Sequence, residues 1–181
     1  MKEAYDDIKR MRRDREINSE LYERLTPVGF ENIPASKISV GHFIKVKSNQ
    51  RIPADMVLLR TTNENGASFI RTDQLDGETD WKLRRAVNVT QELNSDNDLF
   101  HMEAEIFADK PITDIYKFLG NFIQRNERSE QVQLEPLGLD QTLWSSTVLA
   151  ADSVIGVVVY TGSETRSVIN TRQPSNKTGK L

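Results

Sequence analysis

The chain has 181 residues, a formal net charge of -3 with 28% charged residues, and no cysteine. This length suits one ordinary domain plus tails, the mild acidity gives no electrostatic reason to bind nucleic acid, and the missing thiols exclude disulfide staples, thiolate metal sites and a cysteine nucleophile. The most apolar stretch, Val154 to Tyr160, falls far short of the ~20 residues that span a bilayer, and the N-terminus is charged rather than signal-like, so neither a membrane span nor secretion is expected.

Met1 to Glu16 is dense in charge, with Ala4, Ile8 and Met11 on one narrow helical stripe and Asp6/Arg10 spaced as an i,i+4 pair. The spacing predicts a helix with little to bury: either a frayed surface helix or a stalk whose partner helices lie outside this chain. From Thr26 the texture changes to short β-type runs, Ile38–Val46, Met56–Thr61 and Ala67–Arg71, separated by turn residues. Lys45 and Lys47 alternate with Ile44 and Val46, which predicts a strand with one wet face, and Pro53 belongs at a strand start or bend. Asn65-Gly66 predicts a type I′ hairpin turn between the second and third of these runs.

Leu83–Gln91 is a further strand candidate, followed by a polar stretch, Asn94–Asp98. Pro111–Phe122 is read as a helix opened near Pro111, because Ile112, Ile115, Tyr116, Leu119 and Ile123 recur at helical spacing. Asn126–Gln133, charged and amide-rich, is read as a loop. Thr142–Tyr160 alternates and then becomes continuously apolar at Val154–Val159, the pattern of a strand buried on both faces. A short helix over Ser163–Thr171 and a linker over Gln173–Leu181 complete the chain. Many short strands with little helix between them predict a mainly β fold, a distorted jelly-roll or β-sandwich with flanking helices and one or two short additional ones.

Most catalytic templates fail here. Gly179-Lys180 is followed by Leu181 where a phosphate-binding loop needs Ser or Thr, and the upstream glycine position holds Pro174. His42 and His101 stand far apart with no ligand cluster around them, so a zinc site or a serine-histidine relay is not supported. The conspicuous feature is Thr72-Asp73-Gln74-Leu75-Asp76-Gly77-Glu78-Thr79-Asp80, where four carboxylates fall within eight residues around a glycine. Such crowding is costly unless water, a cation or basic side chains offset it. Aligning Gly77 with the glycine of a calcium loop puts Thr72 and Gln74 at the first and third ligand positions and Leu83 where a bidentate Glu belongs, which argues against calcium. The residues alone leave two readings: a tight turn carrying a solvated carboxylate, or a loop built around a catalytic one.

Asp76-Gly77-Glu78-Thr79 after a strand and an acidic approach, followed by Lys82 and Arg84, resembles the actuator-domain signature of type IV P-type ATPases, the phospholipid flippases; other P-type pumps carry Thr-Gly-Glu-Ser. The resemblance runs along nearly the whole chain in order. Lys2–Asp7 with Arg13–Asn18 looks like the stalk after the second membrane helix. Val40-Gly41 and Ile52-Pro53-Ala54-Asp55 look like the block before the catalytic loop. Tyr160-Thr161-Gly162 with Thr165 looks like the last strand and turn, and Asn170–Gly179 like the return toward the third membrane helix. The spelling Gln74–Lys82, with Asp80-Trp81 where most flippases carry Asn-Leu, is similar to the endosomal and Golgi branch that works without an accessory β-subunit. His42, where an aspartate is usual, and Ser145-Ser146, where a glycine often precedes the threonine, depart from the pattern outside the loop. Thr161-Gly162-Ser163-Glu164 superficially resembles the ion-pump signature, but its Glu is one place late, and a structural role is assigned to it.

The resemblance implies an order of a stalk helix and entry segment over 1–25, an actuator β-domain over 26–170 with its catalytic loop at 73–82 and a helix near 112–123, and an exit linker over 171–181. It implies Glu78 as the catalytic carboxylate, supported by Asp76, Gly77 and Thr79, in a pump that moves phospholipid from the exoplasmic to the cytosolic leaflet. No cofactor or metal is expected in this chain; ATP and Mg2+ belong to other domains. The implied partners are the phosphorylation domain and membrane helices of the same polypeptide and a phospholipid, with no nucleic acid and no required accessory β-subunit. The implied location is the cytosolic face of Golgi or endosomal membranes. An ion-pump actuator, or a noncatalytic β-sandwich interaction module with an acidic binding loop, are the competing expectations.

Overall fold

A computed structural model describes residues 2–126 and 131–172. The first helix, α1 (Lys2–Ser19), buries none of its residues, and Ile8 and Met11 of the predicted stripe are exposed. It leads directly into a hairpin of β1 (Leu21–Thr26) and β2 (Gly29–Pro34). These strands join β3 (Phe43–Lys47), β4 (Asp55–Thr61), β10 (Thr142–Leu143) and β12 (Ser153–Tyr160) in an antiparallel sheet of order β10-β4-β12-β3-β1-β2. The sheet therefore begins at Leu21.

Both faces of this sheet are dry at its centre. On β4, Met56 and Leu58 enter one apolar cluster, while Val57 and Leu59 enter another. The first cluster packs the sheet against β5 (Ala67–Arg71), β6 (Trp81–Arg85) and β11 (Val148–Leu149), a three-stranded sheet of order β11-β5-β6, through Ile70 and Leu149. The second packs it against β7 (Ala104–Ala108), β8 (Gly120–Asn126) and β9 (Gln131–Leu137) through Phe122 and Leu137. The continuous apolar run of β12 follows from this double burial: Val154 and Val158 face one cluster, Ile155 and Tyr160 the other. Irregular pairing with β4 near Ile155/Gly156 and Val158/Tyr160 lets residues of equal parity reach opposite faces.

The mainly β sandwich expected from the sequence is present, but four local expectations are corrected. Asn65-Gly66 does not close a hairpin. The β4–β5 connection instead passes from the central sheet to the β5 layer, with Gly66 N–H on Asn63 O at 3.0 Å and Asn65 N–H on Asn63 Oδ1 at 3.0 Å. The Leu83–Gln91 strand stops at Arg85, and Asn88–Gln91 forms a single helical turn, α3. Pro111–Phe122 is not a helix: residues 111–119 are irregular, and β8 begins at Gly120. The carbonyls of Thr113, Ile115 and Lys117 go to side chains from elsewhere in the chain, in place of the i→i+4 ladder a helix needs. Asn126 and Gln131–Gln133, read as loop, belong to β8 and β9; positions 127–130 lie outside the described residues.

The short C-terminal helix is α4 (Arg166–Arg172). The Gln173–Leu181 linker also lies outside the described residues.

Candidate functional site

The acidic segment is the connection between β5 and β6, whose register pairs Arg71 with Trp81 across its base. Thr72 is buried beneath it, and one helical turn, α2 (Asp73–Asp76), follows. Gly77 ends the turn at φ +76°, a left-handed conformation that other residues adopt only with strain, and its N–H donates to Asp73 O at 3.0 Å. A Cβ at Gly77 would meet nothing within 4 Å, so its open surroundings leave room for a large group to approach the backbone.

Asp76 organises the turn. The Thr72 hydroxyl donates to its carboxylate at 3.0 Å, and Oδ1 takes the Glu78 N–H at 2.9 Å. The Tyr116 hydroxyl, from the irregular segment before β8, donates to Oδ2 at 3.4 Å. The backbone of Glu78 is thus tied to a side chain that is itself tied to a buried threonine. The Glu78 carboxylate remains about half exposed, ion-paired with Lys82 four residues further on in β6. Thr79 and Asp80 are exposed at the tip.

The four carboxylates do not converge. Asp73 pairs with Arg71 at 3.0 Å, Asp76 faces the turn, Glu78 faces Lys82, and Asp80 contributes to the field around Lys82. No cluster of three or more metal-ligating side chains occurs among the described residues. The Lys82 ammonium is pushed to a higher pKa chiefly by its hydrogen bond to Glu78, with smaller contributions from Asp76 and Asp80. Arg84 lies buried under the loop, donating through Nε to Thr142 O at 2.9 Å and through Nη1 to Leu83 O at 3.1 Å. Burial lowers its pKa, opposed by the charges of Asp140 and Asp76. What the arrangement offers at Glu78 is an accessible carboxylate on an ordered backbone, with a cation beside it.

The remaining sequence candidates sit elsewhere. His42 accepts the Ser39 N–H on Nδ1 at 3.2 Å, and burial lowers its pKa first, then the Arg24 charge; His101 is exposed on another surface. Thr161–Glu164 forms a tight turn in which Thr165 Oγ1 donates to Gly162 O at 2.8 Å. Ser146 takes a positive φ of 71°, in keeping with the glycine usual nearby. Tyr116 was missed by sequence reading as a loop partner. It lies 40 positions from Asp76, in a stretch whose apolar spacing points to a helix, and no local signal links the two.

Residues 23–168 match the profile of the P-type ATPase actuator domain. Over its whole length the chain is 53% identical to the probable phospholipid-transporting ATPase IIB of Bos taurus. It is 50% identical, over 99% of its length, to the phospholipid-transporting ATPase NEO1 of Saccharomyces cerevisiae, and 48% identical, over all of it, to the probable phospholipid-transporting ATPase tat-5 of Caenorhabditis elegans. The chain spans 16%, 15% and 17% of those three proteins respectively.

Proposed function

The chain belongs to the P-type ATPase actuator domain family, and from that premise we propose that it serves a phospholipid-translocating pump, in which Glu78 positions the water that hydrolyses an aspartyl phosphate on a separate domain. Hydrolysis of an acyl phosphate needs a water held in line with the leaving oxygen. A fixed carboxylate that orients this water and draws on its proton lowers the barrier mainly by positioning. The observation that carries the reading is the tether of Glu78: its N–H is fixed by Asp76 at 2.9 Å while its carboxylate stays accessible at the loop tip. Gly77 gives the phosphate room to approach, and Asp76 and Thr79 are its supporting neighbours in the loop.

In the undocked domain Lys82 neutralises Glu78. A docked phosphate would compete for the same ammonium, which would free the carboxylate for water. Mg2+, held by the phosphorylation domain with ATP bound elsewhere, would supply the positive charge that lets a phosphoryl group approach this acidic loop. The relatives' names support a phospholipid as the cargo and favour that over an ion, and we take its direction to be toward the cytosolic leaflet. We take α1 as the stalk, the sheet from Leu21 onward as the rotating body, and the chain after α4 as the exit to a membrane helix. A Golgi or endosomal membrane and independence from an accessory β-subunit complete the proposal.

The test uses a full-length pump containing this domain with Glu78→Gln, phosphorylated by radioactive ATP and chased with unlabelled ATP. Phosphoenzyme that forms normally but persists is the expected result; decay as fast as wild type would sink the catalytic assignment.

A further inference from the structure

Residues 109–119 are strapped to the domain by four side chains that each donate to one of their carbonyls. The Tyr160 hydroxyl donates to Asp109 O, the Asn170 amide to Thr113 O at 2.9 Å, the Trp144 indole N–H to Ile115 O at 2.9 Å, and the Arg166 guanidinium to Lys117 O at 3.2 Å. Asn170 and Arg166 belong to α4, and Tyr160 closes β12, so the C-terminal end of the domain holds the strap. Arg166 is itself buried, its Cζ 4.3 Å from the Trp144 ring centre and 5.0 Å from that of Tyr160. A guanidinium between two rings has little freedom to swing away from Lys117.

Tyr116 sits between the two anchored carbonyls of Ile115 and Lys117, and its own N–H donates to Asp114 Oδ1 at 2.9 Å. Its backbone is therefore fixed on both sides while its side chain is 56% exposed, so the ring contributes little packing. The hydroxyl meets Asp76 Oδ2 at 3.4 Å, and the other oxygen of that carboxylate holds the Glu78 N–H.

We propose that Tyr116 is a positioning residue for Glu78, acting through Asp76, and that the strap ties this contact to α4. The proposal rests on the assignment of Glu78 as the water-orienting carboxylate. Besides the Glu78 N–H that it holds, the Asp76 carboxylate is met by the Thr72 hydroxyl, at 3.0 Å from both oxygens, and a rotation about that anchor would release the Glu78 N–H. With Tyr116 in place, Asp76 is held from two sides, and a displacement of α4 is felt at the loop through the strap.

The experiment compares Tyr116→Phe and Tyr116→Ala in a full-length pump, each measured for phosphoenzyme formation, apparent ATP affinity and phosphoenzyme decay. A single weak, water-accessible hydrogen bond predicts decay slowed about threefold to tenfold in both variants, with formation and ATP affinity unchanged. If Phe decays like wild type, the hydroxyl does not position Glu78 and the proposal is overturned. Normal phosphoenzyme formation establishes that the variants are folded. In an Asp76→Ala background, Tyr116→Phe should add no further slowing; an added slowing of the same fold would show that Tyr116 does not act through Asp76. Glu78→Gln run in parallel separates the two ideas. A trapped Glu78→Gln phosphoenzyme beside a Tyr116→Phe that decays like wild type removes only the positioning role of Tyr116, whereas a normally decaying Glu78→Gln removes the reading on which it rests.

Discussion

Replacing Asp55 by asparagine and following stability against pH measures how far a buried guanidinium compensates a buried carboxylate in this core. Asp55 opens β4 and is fully buried, with Oδ1 taking the Ser145 N–H at 2.9 Å and Oδ2 taking the Arg166 N–H at 2.8 Å. Burial pushes its pKa from 3.8 up to about 6, against the opposing pull of those two N–H groups and the Arg166 charge. Between the two pKa values the folded protein therefore keeps a proton that the unfolded chain has released. The stability from this group is complete below the unfolded value and is lost as pH rises through about 6. A shift of about two units corresponds to about 3 kcal/mol. Asparagine cannot titrate, so the wild-type stability minus that of Asp55→Asn should fall by up to about 3 kcal/mol between about pH 4 and pH 7, the other titrations cancelling in the difference. Urea melts of the 181-residue chain followed by tryptophan fluorescence give both curves, since Trp144 is buried in the same region. A difference that stays flat, or rises with pH, would mean that Arg166 and the two N–H groups hold Asp55 ionised throughout and would refute the balance argued here.

Two further substitutions test other parts of the structure. Arg60 donates through Nη1 to Thr90 O at 2.9 Å and Leu93 O at 2.8 Å and pairs with Asp96 at 2.8 Å, so Arg60→Leu should cost about 2–4 kcal/mol in urea unfolding with an unchanged denaturant slope; a loss below about 0.5 kcal/mol would show that water replaces those bonds. Gly77→Ala meets no steric neighbour but forces alanine to φ +76°, so it should destabilise the domain by about 1 kcal/mol and slow phosphoenzyme decay in a full-length pump; unchanged stability would show that the loop relaxes without cost.

What could be read from the sequence was whatever rests on local pattern. The strands β4, β5 and β12 declare themselves by β-branched or alternating runs, and the Asp76–Thr79 loop by a glycine among crowded acids. Residues 111–119 misled because helical spacing of apolar residues describes a face without saying what takes the backbone carbonyls; Trp144, Arg166 and Asn170 take them, from 29 to 57 positions away. Asn65-Gly66 misled in the same way. A turn dipeptide reports local φ preferences, while the partners of β4 and β5 are chosen by β12 and β6. Arg166, Asp55 and Tyr116 matter through contacts that no window of sequence contains.

A carboxylate that must meet a phosphate on another body cannot be buried, and an exposed loop normally loses the rigidity that burial supplies. This loop resolves the conflict by placing its order two residues away from its chemistry. Thr72 is buried, Asp76 is bonded to it, and the Glu78 backbone is bonded to Asp76. The Glu78 side chain is left to move between Lys82 and an incoming reactant. The entropy of fixing the backbone is then spent when the domain folds rather than when it docks, which is the condition for positioning to lower a barrier. The strap at 109–119 extends the same logic outward: because Tyr116 reaches Asp76 from a segment held by α4, the order of the loop is a property of the whole domain rather than of the nine residues between β5 and β6.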